Sequence, residues 1–466
     1  MKIFENLCFI SNFFYLQAYV IRNVDDYYPD QVHISIGENN VNDILVMWVT
    51  LTDTDKSIVE YATDGSKLLL QSGYSVPYTF TNRTQYIHRV TLTNLIPNST
   101  YTYHCGDPNL AWSSDFTLTT FPSFNSSNWS PYLIIFGDMG VGNARALTLI
   151  EHELSPMYSV LAEPKVYSPE APPKRKDKKL INAVIHAGDM AYDMHDSRGK
   201  RGDQFLRQIQ PIASRVPYIT CPGNHENHGN FTQYRNKFGM PGGRDMFFSF
   251  NLGPAHFISF STEYYFFYRY GFWQVKKQYE WLEKDLKEAN KPENKAKRPW
   301  IITFGHRPMY CSNRNVDDCT AHSSRVRTGI PFFRWYGLEE LFYRYNVDLE
   351  IWAHEHDYER FWPVYNYQVK NGTVSSNPYH EPKAPVHIIT GSAGCSEQHD
   401  TFVEKAPVWS AYRSLDYGYT KMLISNLTHL YLEQISVDKQ GKIIDNFWMI
   451  KEKDDPYEKD EDLNEI

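Results

Sequence analysis

The chain has 466 residues, 42% of them apolar and 15% aromatic, ample for a large core and more than one compact domain comfortably holds, so two domains are expected. With 47 basic and 55 acidic residues the formal charge is −8, which argues against nucleic-acid partners, because phosphate backbones are gripped by a basic excess. Charged residues at 22%, with that aromatic load, also exclude a mostly disordered chain.

At the start, Lys2 precedes a mainly apolar run from Leu7 to Ile21. It reads as the h-region of a signal peptide over residues 1–22, with a buried N-terminal strand as the alternative. Beyond it no stretch reaches the ~18 apolar residues of a membrane span, so no stable membrane insertion is expected. N-x-S/T sequons at Asn82, Asn98, Asn125, Asn128, Asn230, Asn371 and Asn426 point to a secreted or lysosomal glycoprotein. Of six cysteines, Cys8 would leave with the signal peptide. No C-x-x-C occurs, and Cys311 with Cys319, close together in a polar loop, form the expected bridge. Cys105, Cys221 and Cys395 stay unassigned.

Residues 28–121 have an all-β texture. Val32–Ile36, Ile44–Val49, Tyr86–Leu92, Tyr101–His104 and Phe116–Thr119 are the predicted strands, with a turn at Asp64-Gly65. Short strands at this spacing predict a β-sandwich, read as a structural module. A Ser/Asn/Pro linker follows over 122–131. From 132 to 450 strands alternate with helical patterns, which predicts an α/β domain with a parallel or mixed sheet. Buried-strand runs are Leu133–Phe136, Ala183–Ile185, Trp300–Phe304 and Val347–Trp352. Gln274–Glu288 places Val275, Tyr279, Leu282 and Leu286 on one helical face, and Asn290 and Pro292 end it. The basic stretch 162–179 reads as a solvated insertion, and 429–436 with 442–450 as a hairpin around Gln440-Gly441. The tail 451–466 is acidic. The aromatic run Tyr264–Trp273 reads as core and loop packing rather than a binding rim.

Five motifs follow hydrophobic strands: Gly137-Asp138-Met139-Gly140, Gly188-Asp189-Met190-Ala191-Tyr192, Gly223-Asn224-His225-Glu226, Gly305-His306, and His354-Glu355-His356. Open α/β sheets build sites where strands end, so these loops can share one crevice. Singly, an Asp after Gly is a turn or a helix cap. In this order and number the set points to metal ligation.

These motifs, with Gly305-His306-Arg307-Pro308-Met309-Tyr310 and Ala353–Arg360, resemble the purple acid phosphatases of the metallophosphoesterase superfamily, and within them the animal long-form (type 7) branch. The resemblance runs from about Pro29 to Met449. It implies a fibronectin III-like β-sandwich ahead of a metallophosphoesterase domain, with mixed sheets flanked by helices in α/β/β/α layers. It also implies a binuclear centre. Asp138, Tyr192, His356 and bridging Asp189 would hold one ion, and Asn224, His306, His354 and Asp189 the other. Tyr192 is a hard phenolate donor suited to Fe(III); the mostly neutral second set suits a divalent Fe, Zn or Mn. Ala353 stands where the family usually has glycine.

The implied activity is hydrolysis of phosphate monoesters at acid pH by a metal-activated hydroxide, with small phosphorylated molecules as substrates. His225 is the implied catalytic histidine, contacting phosphate and protonating the leaving group. The further substrate histidine of plant members has no counterpart before His322, a weak candidate. Glu359 and Arg360 are expected to brace the His354–His356 loop. Two alternatives remain: a secreted metallophosphoesterase acting on nucleotides or phosphoanhydrides, and a non-catalytic binding glycoprotein with a vestigial site. The sequence sets no oligomeric state.

Overall fold

The computed structural model describes residues 24–38, 40–123, 129–154, 180–394 and 396–452. The signal peptide, Cys8, Asn125, Asn128, the insertion 162–179, Cys395 and the tail from 453 lie outside the described residues.

The first unit is a two-sheet sandwich. One sheet runs Asp30–Ile36, Ile44–Thr50, Arg83–Leu92, Tyr74–Phe80, antiparallel throughout. The other runs Leu69–Ser72, Ile58–Thr63, Thr100–Asp107, Ala111–Trp112, with Phe116–Thr119 also paired to Thr100–Asp107. Alternating side chains fill the space between them, among them Val32, Ile34, Val46, Trp48, Val59, Val90, Tyr103 and Leu118. Tyr74–Phe80 and Leu69–Ser72 escape the sequence pattern because both are edge strands with mostly exposed side chains. Pro77 interrupts the former, and an edge is where a sheet tolerates proline.

The sandwich is pinned to the second unit by a buried carboxylate. Asp203 on the helix Lys200–Ala213 pairs with Arg83 of the sandwich at 2.5 Å and with Lys237 at 2.5 Å. Gln85 donates to the same carboxylate, and Tyr103 Oη donates to the Ser214 carbonyl at 2.7 Å.

The α/β unit contains two mixed sheets rather than one central sheet. The first orders Tyr218–Cys221, Ala183–Ala187, Tyr132–Phe136, Gly418–Ile424, His429–Ser436 and Lys442–Ile450, its first three strands parallel. The second orders Phe248–Leu252, Ala255–Ser259, Trp300–Phe304, Leu349–Trp352, Val386–Thr390, Tyr358–Phe361 and Ser410–Ser414, with Ala255–Ser259 through Val386–Thr390 parallel. The sheets meet face to face, where Gly137 N donates to the Thr390 carbonyl and Thr420 Oγ1 bonds Thr390 Oγ1. On the first sheet Phe205 of Lys200–Ala213 packs against His186. On the second the helix Trp273–Ala289 is tied down by Asp285 to His256 and by Gln278 to Ser261. This is the α/β/β/α layering.

Val275, Leu282 and Leu286 are the buried face of that helix, with Tyr279 at its margin. The terminal hairpin spans His429–Ser436 and Lys442–Ile450, turning at Gln440 and Gly441, both at positive φ. The aromatic run divides: Tyr264 and Tyr265 are core, whereas Phe272 and Trp273 are exposed. Cys311 and Cys319 are disulfide-bonded, with Cα atoms 5.4 Å apart, and Cys105 and Cys221 are buried free thiols. No helix among the described residues is long and apolar enough to cross a membrane.

Candidate metal centre

Five parallel strands end on one edge of the two-sheet stack. Tyr132–Phe136 delivers Asp138, Ala183–Ala187 delivers Asp189 and Tyr192, and Tyr218–Cys221 delivers Asn224 and His225. From the second sheet, Trp300–Phe304 delivers His306 and Leu349–Trp352 delivers His354 and His356. Each strand is fully buried, so its apolar residues fix it in the core while the first residues past it turn into the crevice.

The turns are strained. Asp138, Asp189, Tyr192 and His354 all take left-handed backbone, with φ of 58°, 50°, 44° and 72°. Such conformations cost of order 1–3 kcal/mol each and cluster at functional sites. Gly188 also has positive φ, and a Cβ there would lie 2.4 Å from His306 Nδ1. Ala353 is accommodated because residue 137 is glycine: a Cβ at 137 would sit 2.3 Å from that of Ala353.

The donors fall into two groups. In one, Tyr192 Oη lies 2.9 Å from Asp138 Oδ1 and 2.8 Å from His356 Nε2. In the other, His306 Nε2 lies 3.2 Å from Asp189 Oδ2, 3.1 Å from Asn224 Oδ1 and 3.2 Å from His354 Nδ1. The His354 amide donates to Asp138 Oδ2 at 2.9 Å and ties the groups together. All seven inferred ligands are thus brought together.

The donor chemistry fits bound cations. The outward ring nitrogens of His306 and His356 face backbone carbonyls, and that of His354 faces a carboxylate as well as the Arg307 guanidinium. His306 Nδ1–H donates to the Ala187 carbonyl at 2.8 Å, His356 Nδ1–H to the Gln398 carbonyl at 3.1 Å, and His354 Nε2–H to Asp317 Oδ2 at 2.6 Å. Each proton placed outside leaves a lone pair inside. With that proton placement His306 Nε2 meets three further lone-pair bearers within 3.2 Å, an arrangement that positive charge relieves. In the metal-free protein that charge is a proton: burial opposes it, but Asp189 and its hydrogen bond raise His306 to about 10. Burial, then Arg307, depresses His354 to about 3. Burial pushes Asp189 up, yet His306, His225 and His354 together hold it well below the usual carboxylate range.

His225 sits at the mouth. Its amide donates to Asp189 Oδ1 at 2.9 Å, and its ring lies against Tyr192, with Nδ1 3.0 Å from Asp193 Oδ1. Nε2 lies 3.9 Å from Asp189 Oδ2 and 3.7 Å from Glu397 Oε1. Burial pulls its pKa down, but the Asp193 hydrogen bond and the Asp189 and Asp193 charges raise it to about 9.

Several supporting residues were not singled out from sequence. Glu226 accepts the backbone N–H groups of Asp189, Met190 and Gly223 at 2.9, 3.0 and 2.9 Å, clamping two ligand loops together. Burial, then Asp189, raises it to about 7. It lies inside the G-N-H-E motif, so its position was the available signal. Asp317, Asp193 and Glu397 carry no local signal; only the fold brings them to the centre.

Two expectations are corrected. Among the described residues no contact joins His322 to the cluster; it is exposed and its ring packs on Tyr367. Glu359 accepts from Ser312 and Ser410, and Arg360 forms a two-pronged pair with Asp445 at 2.7 and 2.8 Å. Both anchor the Tyr358–Phe361 strand rather than the His354–His356 loop. Asn82, Asn98, Asn371 and Asn426 are exposed, whereas Asn230 is half-buried within His228–Lys237 and its side-chain oxygen is enclosed.

Comparison with known proteins agrees with this geometry. Residues 29–120 match the purple acid phosphatase N-terminal domain, 102–358 the calcineurin-like phosphoesterases, and 384–446 the iron/zinc purple acid phosphatase-like C-terminal family. Acid phosphatase type 7 of Danio rerio is 50% identical over 442 residues, covering 92% of each chain. The Homo sapiens protein of that name is 45% identical over 432 residues, covering 91% of each. Among solved structures, the purple acid phosphatase PPD1 of yellow lupin superposes with a TM-score of 0.70 at 24% identity, over 91% of this chain and 75% of that one, and supports the fold. The chain therefore belongs to the purple acid phosphatase family, in its acid phosphatase type 7 branch.

Proposed function

We propose that this protein hydrolyses phosphate monoesters of small molecules at acid pH, using two metal ions held by the seven clustered donors. The observation that carries the reading is the convergence of inward lone pairs on His306, His354 and His356 with Asp138, Asp189, Tyr192 and Asn224, each ring fixed from outside. Asp138, Tyr192 and His356, with their hard phenolate, would hold Fe(III); Asn224, His306 and His354 would hold a divalent Fe, Zn or Mn, with Asp189 between them. When bound, the pair supplies an activated water as nucleophile and neutralises the phosphoryl oxygens.

The chain's own residues do the rest. Asp193 holds the His225 ring through Nδ1, leaving Nε2 directed at the centre, beside Asp189. There it can bind a phosphoryl oxygen and deliver a proton to the leaving alkoxide, and the hydrogen bond to Asp193 favours its protonated form. Glu226 keeps the Asp189 and Asn224 loops in register, so their donors need no rearrangement when substrate enters.

Secretion or lysosomal delivery belongs to the same reading. The N-terminal apolar run, the exposed sequons and the Cys311–Cys319 bridge support it, since disulfides persist in oxidising compartments. Endoglycosidase-sensitive mass on protein recovered from culture medium tests it. The activity is tested by hydrolysis of an aryl phosphate against a nucleoside triphosphate at acid pH, before and after chelation. Faster, chelator-sensitive turnover of the monoester is expected; preference for the triphosphate would move the reading to phosphoanhydrides.

A further inference from the structure

Two partners of opposite character face one ring nitrogen of His354. Nε2 lies 2.6 Å from Asp317 Oδ2 and 2.8 Å from Arg307 Nη1, while Nδ1 faces His306 Nε2 at 3.2 Å. A neutral imidazole carries a single proton. Asp317 only accepts, so it places that proton on Nε2 and leaves Nδ1 a lone pair directed into the centre. A guanidinium only donates, so Arg307 favours the other tautomer, with an N–H at Nδ1 directed at His306. His354 can bind a cation through Nδ1 in the first tautomer and not in the second.

Neither partner is loosely held. Glu263 takes Arg307 Nε with both oxygens at 3.1 Å, and the guanidinium lies 4.3 Å over the Phe266 ring. Asp317 sits in the loop closed by Cys311 and Cys319, where its Oδ1 accepts the Asp318 amide at 2.5 Å. From the same loop Asn313 and Asn315 donate to Glu355 Oε2 at 2.5 and 2.8 Å, so the loop grips the residue next to His354 as well. Arg307 Nη1 is 3.8 Å from Asp317 Oδ2, close enough for the pair to attract.

We propose that Asp317 is a positioning residue that selects the Nε2–H tautomer of His354 against Arg307, and that the disulfide-closed loop is its mount. The inference rests on the reading of the cluster as a metal centre. Asp317 is 37 residues from His354 in sequence, so only the bridged loop brings it to the ring.

The test uses full-length protein stripped by chelation and titrated with Zn(II) alone in competition with a chromophoric chelator, together with nitrogen NMR of the His354 ring. Wild type should bind two ions and carry its ring proton on Nε2. Asp317→Ala should bind one ion as before and the other about 10–100-fold more weakly, the range for loss of a ligand's outer partner, with the proton moved to Nδ1. Asp317→Asn keeps an acceptor oxygen and should retain most of the affinity. Asp317→Ala/Arg307→Ala should bind more tightly than Asp317→Ala, because the opposing donor is gone. Two tight ions and an unmoved proton in folded Asp317→Ala would overturn the proposal while leaving the metal centre intact. So would a double variant no better than the single one. A wild type that binds no ion would overturn the metal reading, and this proposal with it.

Discussion

Glu226 offers the sharpest perturbation of the framework that holds the centre. Its Oε2 accepts the amides of Asp189 and Gly223, both at 2.9 Å, and Oε1 accepts that of Met190 at 3.0 Å. In Glu226→Gln the amide oxygen can keep the two-bond side, but the NH2 group then faces the Met190 N–H, donor against donor. One buried amide left unsatisfied costs about 1–3 kcal/mol. Glu226→Ala strands three, about 3–9 kcal/mol on the same scale, comparable to the whole stability of a domain at about 5–15 kcal/mol. The glutamine variant is therefore the informative one. Urea unfolding of chelator-stripped protein above pH 7, where the Glu226 carboxyl is ionised and bound metal no longer contributes, should show a loss of about 2 kcal/mol. Metal affinity should fall about 10–100-fold, because two ligand loops lose their common clamp. A Glu226→Gln protein with wild-type stability and metal retention would refute the reasoning.

Further predictions follow from individual contacts. Asp193 is the largest influence raising His225 towards 9, so Asp193→Asn lowers that pKa; the protonated acid is then lost at lower pH, and the alkaline limb of the kcat/KM profile should move down by about 1 unit or more. Gly188→Ala forces a side chain into positive φ with its Cβ 2.4 Å from His306 Nδ1, and should yield folded protein that retains less than its full metal complement on dialysis. Asp203→Ala leaves Lys237 buried without its carboxylate and frees Arg83 of the sandwich; a loss of about 3–5 kcal/mol is expected, read by urea unfolding.

The ligand set was readable in sequence because each donor lies within five residues of the end of a short, mainly apolar, buried strand. Tyr132–Phe136, Ala183–Ala187, Trp300–Phe304 and Leu349–Trp352 are buried along their length, so their runs stand out and the residues after them stand at strand ends. Apolar runs do not say which sheet they join, so the strand order within each sheet came only from pairing. Ile58–Thr63 carries Glu60 and the half-exposed Ala62 and Thr63, so its alternation is weak. The support of the centre was hidden for a different reason. Asp317, Asp193 and Arg360 act through contacts that no local pattern encodes: Arg360 meets Asp445 across 85 residues, and the same strand's Glu359 meets Ser312 across 47. His322 shows the converse error, since nearness in sequence to His306 does not carry its ring to the crevice.

The central claim is that Asp138, Tyr192, His356, Asp189, Asn224, His306 and His354 hold two metal ions, one of them ferric. Metal content by elemental analysis, taken with the visible spectrum of wild type and Tyr192→Phe, tests it most directly. The account predicts two ions per chain, at least one of them iron, and a visible phenolate-to-iron band that Tyr192→Phe abolishes. Colourless, iron-free protein from a metal-replete preparation would contradict it.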